Sequence, residues 1–201
     1  SELLDALDIT QAPFIGHSYG GWLSTNFALR CPERVMRLSL IAPAATFTPL
    51  SWQFFVRGIM GATTRQDWVI YSMVEWMTTI RPVRGLEIVE QFRIGMKDIA
   101  QIPAGFPTVF TPEEFQSLEM PVQLIIGDHE VIYNKKPNRV VEIARQLVPH
   151  LQVTIVPNGG HAVIIDQPQA TNAALIDFHG LDQNSAAAEE KQLPIHLREP
   201  A

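Results

Sequence analysis

Three short stretches hold the residues best placed to do chemistry. "GHSYGG" (16–21) surrounds Ser18 with three glycines, directly after the apolar run "APFIG" and before a helical pattern. "LIIGDHEVIY" sets Asp128 and Glu130 just beyond a strand pattern, and "VPNGGHAVII" sets His161 in a glycine-rich loop after another. A serine hydroxyl is a weak nucleophile until a base takes its proton, and an imidazole serves best as that base when a carboxylate orients it. Together the three stretches point to acyl transfer through a serine ester.

The local context of Ser18 matches the G-x-S-x-G elbow, in which a serine is lifted on a sharp turn between a strand and a helix. Residues without a Cβ at the flanks let the turn close without collision. The helix N-terminus behind the turn favours developing negative charge, and the Tyr19 backbone N–H is a candidate oxyanion donor. Of the other histidines, His17 adjoins the serine and His129 stands among acids. His150 belongs to a helix-to-strand turn at the wrong end of a sheet, and His179 and His196 fall in the terminal segments. Asp128, His129 and Glu130 have no further ligand group at metal-like spacing, so no metal site is expected.

These residues need a parallel sheet to bring them together. "APFIG" (12–16) is a predicted strand, 18–30 a helix stopped by Pro32, and "RVMRLSLIAP" (34–43) a second strand, which makes a βαβ unit. Strand–helix–strand order resumes with "PVQLIIG", a helix over 138–148 and a strand over 151–157, and "QPQATNAALIDFHG" (167–180) closes as a helix. Between these halves, 47–115 reads as a helical insertion rich in aromatics and methionine, with Trp52, Phe55, Trp68 and Trp76 as candidates to line an apolar pocket beside His17. Arg57, Arg65, Arg81, Arg84 and Arg93 are expected to be solvated. The opening residues read as an amphipathic helix with Leu3, Leu4 and Leu7 on one side, and 181–201 as a polar, disordered tail.

Composition narrows the partners. A net charge of −6 without a basic block argues against nucleic acid. No apolar run approaches the ~18 residues of a membrane span. One cysteine, Cys31, excludes an internal disulfide and fits a reducing, cytoplasmic setting. The reading is therefore a small-molecule substrate and no cofactor, with oligomeric state left open.

The segments "LLDALDITQAPFIGHSYGGWLSTNFALRCPERVMRLSLIAPAA", "MPVQLIIGDHEVIY" and "VPNGGHAVIIDQP" resemble the α/β-hydrolase superfamily, in its carboxylesterase-like branch with a helical cap. The resemblance implies an α/β-hydrolase fold, with core in 1–46 and 116–180 and a cap over the site in 47–115. It implies Ser18 as nucleophile, His161 as general base and Glu130, three residues past the strand-ending glycine, as the acid, with Asp128 the alternative. The order serine, acid, histidine is the one that fold uses. The family's second oxyanion donor comes from strands before the elbow, so the chain is expected to be the C-terminal part of a longer hydrolase, lacking those strands and that donor. Thioester hydrolysis, C–C bond hydrolysis, acyl transfer, a non-catalytic receptor role and an inactive fragment remain open alternatives.

Overall fold

The computed structural model describes residues 1–98 and 106–181, and the tail expected beyond Leu181 lies outside them. Four strands, β1 (Ala12–His17), β2 (Val35–Ile41), β3 (Val122–Gly127) and β4 (Gln152–Val156), form one parallel sheet in that spatial order. β3 is buried at every residue, which is why "VQLIIG" is apolar throughout rather than alternating. Alternation survives as a division of faces. Leu38, Leu40, Leu124 and Ile126 enter the core shared with Ala28 of α2 (Tyr19–Arg30) and Val140 of α7 (Pro137–Leu147). Ile41, Ile125 and Val156 turn the other way, against Val163 and Leu175 of α8 (Val163–Asp166) and α9 (Pro168–His179). The closing helix expected over 167–180 is thus preceded by a separate short turn of helix that the sequence reading did not find.

Register decides where the chemistry stands. His17 pairs with Ile41, Ile41 with Ile125, and Gly127 with Val156, so β1 and β2 end level with each other, and β3 and β4 end together two residues farther on. Ser18, Glu130 and His161 each follow a strand end and so share the carboxyl edge of the sheet, where parallel α/β sheets place ligands. The long excursion from β2 to β3 carries α3 (Trp52–Thr64), α4 (Asp67–Met77), α5 (Glu87–Asp98) and α6 (Pro112–Gln116). The α4–α5 pair is laced by Tyr71 donating to Glu90 (2.6 Å), Lys97 to Asp67 (2.9 Å) and Arg93 to Asp67 (3.3 Å). Each such pair contributes little alone, but together they fix the register of two helices. The opening helix α1 (Glu2–Ala6) buries none of its residues, and Leu3 and Leu7 face solvent rather than forming a packed stripe.

The turn after β1 is held by backbone bonds: Ser18 N–H to Ile41 O and Ala44 N–H to Ser18 O, both 2.9 Å. Ser18 takes φ 54 and ψ −118, in the left-handed half of backbone space that a side chain rarely occupies. The glycines around it are unequal. A Cβ at Gly16 would stand 2.3 Å from Gly20 O, and one at Gly21 would stand 2.7 Å from Pro43 Cβ, whereas at Gly20 nothing lies within 4 Å. The close approach of the Gly20 carbonyl is what requires a glycine at 16, while position 20 itself has room for a Cβ. Gly16→Ala is expected to destabilise the fold by about 1–3 kcal/mol through overpacking. Gly20→Ala, in the first turn of α2, should be neutral or stabilising by up to about 1 kcal/mol. Urea unfolding of the two variants distinguishes them.

Candidate active site

Residues 143 positions apart meet at the sheet edge, with Ser18 Oγ 2.8 Å from His161 Nε2. On its other side the imidazole approaches Glu130, with Nδ1 2.9 Å from Oε2. The Glu130 side chain is 0% exposed, a placement that a carboxylate tolerates only when its oxygens are matched by donors. Oε1 accepts from the N–H groups of Val131 (2.7 Å) and Ile132 (2.9 Å), which leaves Oε2 for His161. An acceptor at Nδ1 selects the tautomer that carries its proton there and leaves a lone pair on Nε2, facing the serine hydroxyl. Ser18 also occupies the N-cap position of α2, where a serine usually caps its helix, but its hydroxyl makes no such bond. Asp128, the alternative acid, is exposed and turned to His129 at 2.6 Å.

The His161 loop is tied down from three directions. His17 Nε2–H donates to the His161 carbonyl at 2.9 Å. Gly160 N–H donates to Asp166 Oδ2 at 2.7 Å, and Ala162 N–H to Met77 O at 3.1 Å. The buried Asp166 also accepts from Thr79 N–H through Oδ1 (3.0 Å), so one carboxylate joins the loop to the segment leaving α4. Nothing in the spacing of "HAVIID" marks Asp166 as more than a helix residue. Its role depends on the fold bringing 79 and 160 together.

Two apolar cavities open beside Ser18. The first, about 280 Å³, is lined by His17, His161, Met77, Val89 and Ile165 among others. The second, about 360 Å³, is lined by Tyr19, Leu50, Phe55, Gly58 and Phe106 among others. Phe54, Met73 and Phe92 border both. Of the residues expected to line a pocket, His17 and Phe55 border these cavities, and Trp52, Trp68 and Trp76 border neither. Trp52 is 70% and Trp68 63% exposed, and Trp76 packs on the core under the Arg57 guanidinium. The lining falls to phenylalanine and methionine because these point inward from the same helices. Among the described residues no group of three or more His, Cys, Asp or Glu could hold a metal ion, and no helix is long and apolar enough to cross a membrane.

A family model described as alpha/beta hydrolase matches residues 1–174. The chain belongs to that family. Its relatives include an uncharacterized carboxylesterase, nap, of Bacillus subtilis, 33% identical over 183 residues that cover 88% of this chain and 59% of that protein. Carboxylesterase YbfK of the same organism is 31% identical over 184 residues, covering 88% and 60%. The crystal structure of naproxen esterase from Bacillus subtilis superposes with a TM-score of 0.79 at 33% identity, over 88% of this chain and 62% of that one. This alpha/beta hydrolase chain therefore spans about three fifths of the length of these relatives.

Within it, His17 makes a contribution the sequence did not reveal. Burial, and then the neighbouring His161 imidazole, push its pKa down to about 4 from the ordinary 6.5. A histidine depressed on folding stays neutral in the native state while the unfolded chain takes up a proton. Its contribution to stability is present above pH 6.5 and is lost as pH falls toward 4. His17→Gln keeps an N–H donor without a titrating ring. Between pH 7 and 4 the wild type is expected to lose up to about 3 kcal/mol more stability than this variant, measured by urea unfolding at each pH.

Proposed function

We propose that the protein is a carboxylesterase-type serine hydrolase in which Ser18 is the nucleophile, His161 the general base and Glu130 its orienting acid, acting on small to medium apolar esters. The observation that carries this reading is the series of short hydrogen bonds from Ser18 Oγ through the imidazole to a fully buried carboxylate. His161 Nε2 takes the hydroxyl proton as Oγ attacks the ester carbonyl, and the backbone N–H of Tyr19 donates to the oxyanion. His161 then returns the proton to the leaving alkoxide oxygen, and the alcohol departs from an acyl-Ser18 ester. Water repeats the attack, gives a proton to His161, and the acid leaves as Ser18 recovers its own. No step calls for a cofactor or a metal.

Helices α3, α4 and α5 serve in this reading as a cap. They cover the apolar cavities beside Ser18, where excluded water strengthens the electrostatic contacts of the reaction. The carboxylesterase relatives, similar over most of this chain, support ester bonds as the substrate.

Ser18→Ala is expected to reduce turnover of p-nitrophenyl butyrate by at least about 10⁴-fold with the fold intact by circular dichroism. Glu130→Gln should cost about 10³–10⁴-fold, since the imidazole loses the partner that sets its tautomer. Asp128→Asn should change the rate by no more than about twofold, as expected of an exposed pair. Retained activity in Ser18→Ala, or a crippled Asp128→Asn beside a healthy Glu130→Gln, would overturn the assignment.

A further inference from the structure

The loop that follows β2 is buried along its length and strained in two places. Ala42, Ala44, Ala45 and Thr46 are all shielded from solvent. Ala42 (φ 42) and Ala45 (φ 51) stand in the left-handed region that a Cβ disfavours. Such strain persists only where the surroundings over-determine the backbone. We infer that Tyr133 is a positioning residue of the triad: its hydroxyl pins the 42–45 loop, and through that loop it holds Ser18 in place against His161. The inference rests on the serine-hydrolase reading above and adds to it a residue that borders neither cavity.

The connection runs in short steps. Tyr133 Oη donates to the Pro43 carbonyl at 2.9 Å, with both groups buried. Among the described residues no backbone N–H donates to that carbonyl, so the phenol is its partner. The next residue, Ala44, donates its N–H to Ser18 O at 2.9 Å. Pro43 itself lies against the first turn of α2, where a Cβ at Gly21 would stand 3.0 Å from Pro43 Cα. The loop therefore fixes both the peptide of the serine and the start of the helix behind it. That peptide sets where Oγ stands, and Oγ must keep its 2.8 Å approach to His161 Nε2 for the proton to pass.

Tyr133 suits this task because its own backbone belongs to the acid. It stands three residues beyond Glu130, in the loop whose Val131 and Ile132 N–H groups hold Glu130 Oε1. That loop is laced to residues 49–51 by Asn134 N–H to Pro49 O (3.1 Å) and Ser51 N–H to Ile132 O (2.6 Å). One segment thus grips the acid with its backbone and the support of the nucleophile with its side chain. The spacing between the two ends of the triad is set across it. Burial, and then the Glu130 carboxylate, push the phenol pKa well above its ordinary 10, so the hydroxyl remains a donor at neutral pH. A phenylalanine at 133 fills the same space and leaves the buried Pro43 carbonyl without its donor.

The test sets Tyr133→Phe beside Val140→Ala, a truncation in the buried core of α7. Both variants are expected to unfold at lower urea than the wild type, but only Tyr133→Phe should lose activity. Its kcat for p-nitrophenyl butyrate is expected to fall about ten- to a hundredfold, with KM within about twofold. Labelling of Ser18 by a fluorophosphonate should slow by a similar factor, because the defect lies in the placement of the nucleophile. Should Tyr133→Phe fold poorly in buffer, the same assays in trimethylamine N-oxide, which favours the compact state, carry the comparison. A kcat within about twofold of wild type in folded Tyr133→Phe, a rise in KM alone, or an equal loss in Val140→Ala would each reduce Tyr133 to a packing residue. Any of these overturns the inference and leaves ester hydrolysis standing. If the wild type turns over no ester, the hydrolase reading itself fails and this inference falls with it.

Discussion

A carboxylate with no exposed side-chain surface must find all its hydrogen bonds inside the protein, and Glu130 finds three. Two come from the backbone N–H groups that follow it, and these aim its second oxygen at His161. That constraint governs the edge of the sheet. The β3 and β4 loops must approach closely enough for the bond to form, and they do so backbone against backbone. A Cβ at Gly127 would stand 2.0 Å from Gly159 O, and His129 N–H donates to that same oxygen at 2.9 Å. Removing one partner of such a buried pair is far more damaging than its net contribution to stability suggests, because the other is left without compensation.

The same loop is the meeting point of the rest of the molecule. His17, from the strand that ends in the serine, holds the His161 carbonyl. Met77 and Thr79, at the end of α4, hold the residues on either side of it, directly and through Asp166. Helix α4 also places Met73, Val74 and Met77 on the cavity walls. The helices over the site and the imidazole inside it are thus mechanically continuous, so that repacking in the cavity is felt at His161. In a close-packed interior such strain is transmitted rather than absorbed.

Much of this was legible in the sequence because it is written in local grammar. Strand, glycine-rich turn and helix around Ser18, and acids and a histidine just past apolar strands, need only the pattern of neighbouring residues. The fold class followed from the alternation of strands and helices, and the family match bears it out. What escaped depended on contacts across the chain. Gly20 and Gly21 look alike in sequence, yet Pro43, two residues past the end of β2, makes Gly21 and not Gly20 sterically necessary. Trp52 and Trp68, expected beside the pocket, face solvent, and the inward faces of α3 and α4 carry Phe54, Met73 and Met77 instead. Leu23 of α2 is apolar yet exposed, because that helix docks through Gly21, Thr25 and Ala28. Asp166 could not be singled out at all until residues 79 and 160 were seen to share it.

The central claim is that Ser18 forms the covalent intermediate. The most direct measurement is to quench the reaction with a slowly deacylating p-nitrophenyl ester and map the acyl group by mass spectrometry of the digested protein. The account predicts that the added acyl mass falls on the peptide containing Ser18 and is absent in Ser18→Ala under the same quench. Turnover with the acyl group on another residue, or with none on Ser18, would contradict it.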